Sequence, residues 1–525
     1  GIFITGNEKN LNYMADIDWQ GDKVTFMVGG DTYQTQLVTS DPAYVVKPTD
    51  PVVVGKTFYC WCDKIGNRWD FDTMETTGDM TLYAAFVSDD GGVSDEEYFQ
   101  DSTFTPILRF LVASDVHCSA DSTIRDTRLS SMFDVAYGYA EGSSSYNNLD
   151  VALFVGDVSE NGQRAQLQQF MKSLNASVRE GTQTIISMGN HEFNTYDSAA
   201  RAIVQFEDVV GYTDVHVVIN GFHFISLSPN IDKGYHFTDS KQEWLKEQLA
   251  IAAADTPDKP IFLMQHEHIK DTVYGSINWG MTELTEIISE YPPVVDFSGH
   301  SHYPLSDPRS IWQGRFTALG TGTLHYYEMG INNYKSSAVF PTDKEGGWDS
   351  YSNGTGSQGE FQILEVDASG AIRVIVYDIT NEREICRYYL RNLTEDYKFK
   401  YSHDERKTSS EAPYFAEGTE ITANVSHNSI EVVIPQATGK DVVESYRVEF
   451  LRRGVVETTA YVLSDYFFSP MPAVVRTTVS RLRENAEYTI KVYAVNVWGL
   501  ESEPITLTAT TGQKEVFEEC TDEFS

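Results

Sequence analysis

The sequence predicts a multidomain protein in which a central α/β domain is flanked by a small β-rich repeat and a C-terminal β-sandwich. Its 525 residues exceed the usual size of a single domain. Short strands with turn residues fill the first part, apolar runs alternate with helical segments in the middle, and alternating strands return near the end. We therefore expect six parts: a β repeat with its lead-in at 1–88, an acidic linker at 89–105, the α/β domain at 106–402, a linker at 403–412, the sandwich at 413–512 and an acidic tail at 513–525.

The chain is strongly acidic, with 39 Lys and Arg residues against 77 Asp and Glu residues and a net charge of −38. A phosphate backbone needs neutralising cations, so this charge argues against nucleic acid as a partner. No apolar run reaches the roughly 18 residues that span a bilayer, and residues 1–6 lack the basic and apolar regions of a signal peptide. We expect a soluble protein without a membrane span, in which a metal or a small cationic pocket captures any phosphorylated substrate.

The first part of the chain contains strand-like segments at 24–28, 57–62 and 80–86, with a Pro-Thr-Asp-Pro turn at 48–51. Together with the Arg-Trp-Asp-Phe-Asp segment at 68–72, they resemble the small β repeat of internalin-like bacterial surface proteins. The resemblance implies a spacer or attachment module with no chemistry of its own.

The middle part alternates between strands and helices. Strands are expected at 108–113, 151–155, 184–188, 222–227, 260–265 and 294–298. Amphipathic helices are expected between them at 127–139, 164–174, 241–252 and 281–289. Such alternation predicts helices on the faces of one or two sheets, with a ligand held by loops at the carboxyl ends of the strands.

The last part contains segments of period two at 429–434, 445–450 and 488–494, which predict half-buried sandwich strands. A set of positions there resembles the late strands of fibronectin type III domains, in which a Tyr precedes an alternating strand: Leu482, Tyr488, Val492, Ala494 and Gly499. Val433 takes the place expected for the usual early core Trp.

Five short segments place metal-binding side chains directly after apolar runs of the middle part. They are Asp115-Val-His117, Gly156-Asp157, Gly189-Asn190-His191-Glu192, Gln265-His266 and Gly299-His300-Ser301-His302. Taken singly, each has a common structural explanation as a helix cap, a turn or a buried histidine. Taken together, two Asp, four His and one amide oxygen are enough for two ions and too many for one tetrahedral site. Imidazole and carboxylate ligands suit Zn, Mn and Fe.

In this order, the five segments resemble the pattern of calcineurin-like metallophosphoesterases. The resemblance implies an α/β/β/α sandwich that holds two divalent or trivalent ions (Mn, Zn or Fe). It assigns Asp115, His117 and His302 to one ion, Asn190, His266 and His300 to the other, and Asp157 to both. Asn190 and His191 would contact the phosphate, and His191 would protonate or stabilise the leaving oxygen.

Several positions leave alternatives open. His268 competes with His266 as a ligand, since the chain has His-Glu-His where many relatives have His-X-Pro. Arg309 fits either a phosphate contact or a structural ion pair. Glu192 is expected to support the Asn190 loop or the ligands, and Glu160 stands where purple acid phosphatases carry a Tyr, so no iron-tyrosinate is expected. His325 fits a core position or the rim of the cleft.

These observations favour a phosphoesterase that hydrolyses phosphate mono- or diesters by attack of a metal-bridging hydroxide, without a covalent intermediate. The flanking modules resemble extracellular ones, so we expect an extracellular or cell-surface location, with possible cell-wall or matrix contact through those modules. The substrate is a small or surface-attached phosphate ester. The alternative is a surface adhesin that uses the middle domain as a scaffold.

Overall fold

The computed structural model describes residues 21–87, 93–100, 102–120, 123–330, 348–351 and 358–514. The expected lead-in before Gly21, the first residues of the expected acidic linker and the end of the acidic tail lie outside these residues. The chain divides into two compact units, Gly1–Gly92 and Val93–Ser525, and each is described by itself. Within the described residues, no helix is long and apolar enough to cross a membrane.

The N-terminal unit is a four-stranded sheet in the order β2-β1-β4-β3. Its strands are β1 Asp22–Val28, β2 Asp31–Val38, β3 Thr57–Cys62 and β4 Met80–Val87. Alternate residues of these strands face one side and bury a small core, in which the Phe26 and Trp61 rings meet edge to face at 5.0 Å. The strands expected at 24–28, 57–62 and 80–86 are therefore confirmed.

The central domain contains two six-stranded sheets, in the orders β20-β19-β18-β5-β6-β7 and β14-β15-β13-β10-β9-β8. The strands of the first sheet are β5 Pro106–Ala113, β6 Val151–Val155, β7 Gln183–Ser187, β18 Glu360–Asp367, β19 Ile372–Asp378 and β20 Arg383–Leu390. Those of the second are β8 Val215–Ile219, β9 Phe222–Ser226, β10 Ile261–Met264, β13 Val294–Ser298, β14 Ile311–Gln313 and β15 Thr317–Gly320. Two short pairs complete the strands: β11 His268–Ile269 with β12 Gly280–Met281, and β16 Tyr327–Gly330 with β17 Trp348–Tyr351.

An aromatic and aliphatic core lies between the two sheets, where Phe110 of β5 touches Phe262 of β10 at 4.8 Å between ring centroids. The helices are α1 Asp95–Tyr98, α2 Thr123–Gly142, α3 Arg164–Ser177, α4 Ala199–Val210, α5 Asp239–Asp255, α6 Ser276–Trp279, α7 Thr285–Ile288 and α8 His403–Thr408. Helices α2, α3 and α4 pack on the outer face of the first sheet, while α5 packs against β10 of the second. The expected α/β/β/α layering is confirmed.

The helix expected at 281–289 is wrong for its first half. Met281 belongs to β12, which pairs with β11, and its carbonyl accepts the Lys270 N–H. Because this pairing holds the backbone extended, the helix is limited to the single turn α7.

Both expected linkers are folded where the structure describes them. In the first, Phe99 and Phe104 pack with Ala371, and Asp95 pairs with Arg391 at 2.7 Å. In the second, α8 begins at His403, which is buried and bonds the Thr272 carbonyl through Nε2 at 2.6 Å. The polar composition of these segments predicted linkers, but a few of their side chains pack on or bond to the central domain and hold them there.

The C-terminal part is a sandwich of two sheets, β21-β22-β25 and β24-β23-β26-β27. Its strands are β21 Thr422–Val425, β22 Ile430–Pro435, β23 Val443–Arg452, β24 Val455–Leu463, β25 Val474–Val479, β26 Glu487–Asn496 and β27 Ile505–Thr510. Tyr488 is fully buried, and its hydroxyl accepts the Arg483 N–H, a contact typical of the tyrosine corner of such sandwiches. Val433 is only half-buried, because Val432 and Ile434 occupy the inward positions of β22.

The central domain and the sandwich share a buried ionic contact. Arg309 is fully buried and pairs with Asp307 at 2.7 Å and with Glu444 of the sandwich at 2.6 Å. Its guanidinium lies 3.7 Å from the ring centroid of Tyr274. The interpretation of Arg309 as a structural ion pair is confirmed.

Arg309→Met should lower the free energy of unfolding of the unit 93–525 by about 3–5 kcal/mol, because two buried carboxylates would lose their counter-charge. Thermal unfolding would show the loss as a lower transition midpoint. Arg201→Met is the matched control, since Arg201 forms an exposed pair with Asp197 and should change stability by less than about 1 kcal/mol. Equal midpoints for the wild type and Arg309→Met would contradict this account.

Candidate metal centre

The five predicted segments meet at one edge of the sandwich. Asp115 and His117 follow β5, Asp157 follows β6, and the Asn190–Phe193 turn follows β7 of the first sheet. His266 follows β10, and His300 and His302 follow β13 of the second sheet. The carboxyl ends of parallel strands lie at a common edge, so five segments that are distant in sequence converge there.

A first group of possible metal ligands comprises Asp115, His117, Asp157 and His302, whose ligand atoms lie within 4.8 Å of one another. His117 Nε2 lies 3.0 Å from His302 Nε2, and His302 Nε2 lies 3.1 Å from Asp115 Oδ1. All four side chains are buried.

A second group comprises Asp157, His266 and His300, and it shares Asp157 with the first. His266 Nε2 lies 3.1 Å from Asp157 Oδ2, which is also 4.0 Å from His117 Nε2. Asn190 donates its side-chain N–H to the Tyr235 hydroxyl at 3.2 Å, and its amide oxygen is left over. The structure thus brings the predicted His and Asp ligands together, with Asp157 between the two groups.

The orientation of the rings fits bound cations. His302 Nδ1 lies 3.0 Å from the Tyr326 carbonyl and His266 Nδ1 lies 2.8 Å from the Val155 carbonyl, so both Nε2 atoms present lone pairs to the carboxylates. Within the described part of the chain, Asp115 Oδ1, Asn190 Oδ1 and His266 Nε2 are buried and have no hydrogen-bond partner. When the rings are neutral these atoms are all acceptors, which repel one another unless a proton or a metal cation lies between them.

The electrostatics of the cluster point the same way. Burial alone would lower the pKa of His117, but the carboxylates of Asp115, Glu160 and Asp157 outweigh it and raise that pKa to about 10. Burial would also lower the pKa of His266, but the charges of Asp157 and Asp115 outweigh burial and raise that pKa to about 10. The pKa of Asp157 lies below its usual value despite burial, chiefly because His266 is adjacent. The carboxylates therefore attract positive charge into a water-poor site.

The backbone of the loops is specialised for this convergence. Asp115, His117, Asp157, His300 and His302 all have φ between 48° and 69°, the left-handed region that non-glycine residues seldom occupy. Two motif glycines allow close approach: a Cβ on Gly189 would lie 2.3 Å from Asp157 Oδ1, and one on Gly299 would lie 2.5 Å from Asp115 Oδ2. Five residues of the cluster thus hold a strained backbone conformation that brings their side chains together.

Glu192 ties three of the loops together. Its buried carboxylate accepts the N–H groups of Asp157, Ser159 and Gly189 at 2.8–3.0 Å, and the Ser159 hydroxyl at 2.8 Å. Burial and the nearby charge of Asp157 raise the pKa of Glu192 to about 7, against the hydrogen bonds from Gly189 and Ser159. Glu192 therefore holds the loops that carry Asp157 and Asn190.

His191 lies beside the cluster. Its Nδ1 lies 2.8 Å from the Glu160 carbonyl, its backbone N–H donates to Asp157 Oδ1, and its ring centroid is 4.4 Å from that of His117. The carbonyl fixes the proton of the neutral ring on Nδ1, so Nε2 is the nitrogen that is left to contact other groups.

The competition between His266 and His268 is decided by contacts. His268 is buried, with Nδ1 at 2.7 Å from Ser298 Oγ and Nε2 at 2.7 Å from Ser301 Oγ, so both ring nitrogens are engaged. His266 Nε2 instead faces Asp157. The geometry favours His266 as the ligand.

Several residues around the cluster were not singled out as site residues from the sequence. Tyr235 and Trp279 flank His300, with ring centroids 5.9 and 5.2 Å away, and Tyr326 lies 4.2 Å from His302. No motif marks these aromatic positions, because the loops that carry them are brought to the centre only by the fold. The sequence left open a core position or the cleft rim for His325. Its ring centroid lies 5.4 Å from that of His117.

Comparison with known proteins identifies the central part. The family model described as calcineurin-like phosphoesterase matches residues 108–304. Residues 108–304 form a calcineurin-like phosphoesterase domain. A second model, the Listeria-Bacteroides repeat domain, matches residues 23–85, which form the N-terminal sheet. A comparison with curated proteins finds no match.

Solved structures similar to parts of the chain include a purple acid phosphatase, PPD1, from yellow lupin seeds. It is 12% identical with a TM-score of 0.35, and the match covers 55% of this chain and 54% of that one. The fn3 domain of human contactin 1 is 24% identical with a TM-score of 0.16, covering 20% of this chain and 82% of that one. The phosphoesterase domain is a metal-dependent hydrolase, and it is accompanied by a C-terminal β-sandwich.

Glu192→Gln should reduce bound metal, because the amide NH₂ must face either the N–H groups of Asp157 and Gly189 or those of Ser159. The clash of donors should also cost about 1–3 kcal/mol of stability. Metal analysis of the purified variant and thermal unfolding check both effects. Glu96→Gln, in the exposed first turn of α1, is the control and should change neither. Full metal content in Glu192→Gln would contradict the role assigned to this carboxylate.

Proposed function

We propose that the phosphoesterase domain holds two metal ions and hydrolyses phosphate mono- or diesters without a covalent intermediate. The observation that carries the proposal is the pair of ligand groups that share Asp157. Asp115, His117 and His302 would hold one ion with Asp157, and Asn190, His266 and His300 would hold the other. When bound, two such ions would activate a water molecule as the nucleophile and would neutralise charge on the phosphoryl group.

The chain's own residues then have distinct tasks. Asp157 keeps the two groups at a fixed separation, since its carboxylate faces His266 and His117. Asn190 and His191 lie on the same turn and would orient the phosphoryl group. His191, held at Nδ1 by the Glu160 carbonyl, can deliver a proton from Nε2 to the leaving oxygen.

The setting of the reaction follows from the flanking modules. We propose an extracellular or cell-surface location, with cell-wall or matrix contact through the N-terminal repeat and the sandwich, because both resemble modules of surface proteins. The net charge of −38 supports a small phosphate ester rather than a nucleic acid as the ligand.

The proposal is tested by metal analysis of the purified protein and by assays on an aryl phosphate monoester and an aryl phosphate diester with added Mn or Zn. Two bound ions per chain and turnover of at least one ester are expected. A protein that takes up neither metal and cleaves neither ester would support the adhesin alternative.

Asp157→Asn should lower the metal content and reduce turnover by more than about 100-fold, because an amide cannot supply a negative oxygen to both groups. Metal analysis and the aryl ester assay measure the two effects. Asp197→Asn, at an exposed pair on the surface, is the control. Full activity of Asp157→Asn would remove the proposed mechanism.

His191→Ala should keep the metal and slow the reaction by about 10²–10⁴-fold, the usual contribution of a general acid or base. The loss should shrink for an ester with a more acidic leaving group, which needs less protonation. His427→Ala, on a turn of the sandwich, serves as the control. A uniform loss for all leaving groups would argue against proton transfer by His191.

A further inference from the structure

A second polar cluster surrounds the Nδ1 edge of His117. Glu160 Oε2 lies 3.5 Å from His117 Nδ1 and 3.9 Å from Arg125 Nη2. Arg125 Nη2 lies 2.5 Å from His325 Nε2, and its Nη1 donates to Ser119 Oγ at 3.1 Å. The predicted roles of the five ligand segments leave these three residues, Arg125, Glu160 and His325, without an assigned task.

The contact with Arg125 fixes the proton of His325. A guanidinium can only donate hydrogen bonds, so Nε2 of His325 must accept and the ring proton must lie on Nδ1. His325 Nδ1 is buried and has no hydrogen-bond partner within the described residues. The chain therefore presents a fixed N–H donor that lacks an acceptor.

This donor lies next to the metal centre. Ligand atoms of His325, His117 and Glu160 lie within 4.8 Å of one another. The His325 ring is 5.4 Å from the His117 ring and 4.8 Å from the Tyr326 ring, centroid to centroid. His191 lies on the same His117 ring at 4.4 Å. A phosphoryl group bound near His117 would thus come within reach of two imidazoles.

We propose that His325 contacts the substrate, donating its Nδ1–H to an oxygen of the phosphoryl group, and that Arg125 is a positioning residue that fixes the ring. This inference rests on the proposed phosphoester hydrolysis at the same site. A neutral imidazole can donate this hydrogen bond beside bound cations without charge repulsion, whereas a guanidinium in the same place would be repelled by them. Arg125 therefore does not contact the phosphoryl group itself and acts on it only through His325.

An alternative interpretation of the same cluster is a third metal ion bound by His117, Glu160 and His325. It is disfavoured because His325 Nε2 already accepts from Arg125, whose positive charge would oppose a cation. The metal content of His325 variants distinguishes the two: substrate contact predicts no change, and a third ion predicts a loss.

Two isosteric variants separate the ring nitrogens. His325→Asn keeps an N–H near the position of Nδ1, whereas His325→Gln keeps only a group near the position of Nε2. In the metal-loaded full chain, His325→Gln should weaken the binding of inorganic phosphate and lower kcat/KM for the aryl esters by about 10- to 100-fold, the range for a hydrogen bond to a charged group. His325→Asn should bind phosphate more tightly than His325→Gln, and both should keep the wild-type metal content.

Phosphate affinity is measured by calorimetric titration, which needs no turnover, with His427→Gln as the unaffected control. Equal phosphate affinity in the wild type and His325→Gln, equal losses in the Asn and Gln variants, or metal loss in either variant would each overturn the inference. These outcomes differ from failure of the proposed function, which would appear as a wild-type protein that hydrolyses neither ester.

Discussion

The buried negative charge of Asp115 and Asp157 is the constraint on which the phosphoesterase domain depends. Both carboxylates are almost completely removed from water, where an uncompensated charge is very costly. The chain answers with imidazoles whose Nε2 atoms face the carboxylates, as His266 and His302 show. Their other nitrogens lie against backbone carbonyls, so in the neutral rings the facing atoms are acceptors that a cation can bridge to the carboxylates.

This requirement shapes the backbone around the site. Loops from both sheets must approach one another closely enough for their polar ends to meet, and they do so through left-handed conformations at five residues of the cluster. Glycines at the motif positions remove side chains that would collide with the carboxylates. Glu192 then satisfies the N–H groups that these sharp turns leave over. The strain at the ligands is therefore held in place by a hydrogen-bonded support beneath them.

The support extends into the C-terminal sandwich. Arg309 of the central domain is paired with Glu444 of the sandwich and lies against Tyr274. Tyr274 belongs to the same loop region as Trp279, whose ring contacts His300. Tyr327 follows Tyr326, whose carbonyl contacts His302 Nδ1. The Tyr327 ring packs on the Phe467 ring of the sandwich, with 5.6 Å between the ring centroids. The sandwich thus contacts two segments that border the metal centre and stabilises them. Its resemblance to surface modules does not predict these contacts.

The sequence by itself determined the order of strands and helices and the five segments that meet in the cluster, because apolar strands followed at once by Asp, Asn or His carry that information locally. The alternation of strands and helices left open whether there are one or two sheets, and the two-sheet core around Phe110 and Phe262 is established by the tertiary structure. Only the tertiary structure decided between His266 and His268, since the choice depends on serines at 298 and 301 that occupy both nitrogens of His268. It alone placed Arg125 against His325, 200 residues away. It also folded the expected linkers onto the central domain and formed the pairing of β11 with β12 that displaced the first half of the helix expected at 281–289. Contacts between residues far apart in the chain have no periodic signature, so these features depend on packing that no local pattern records.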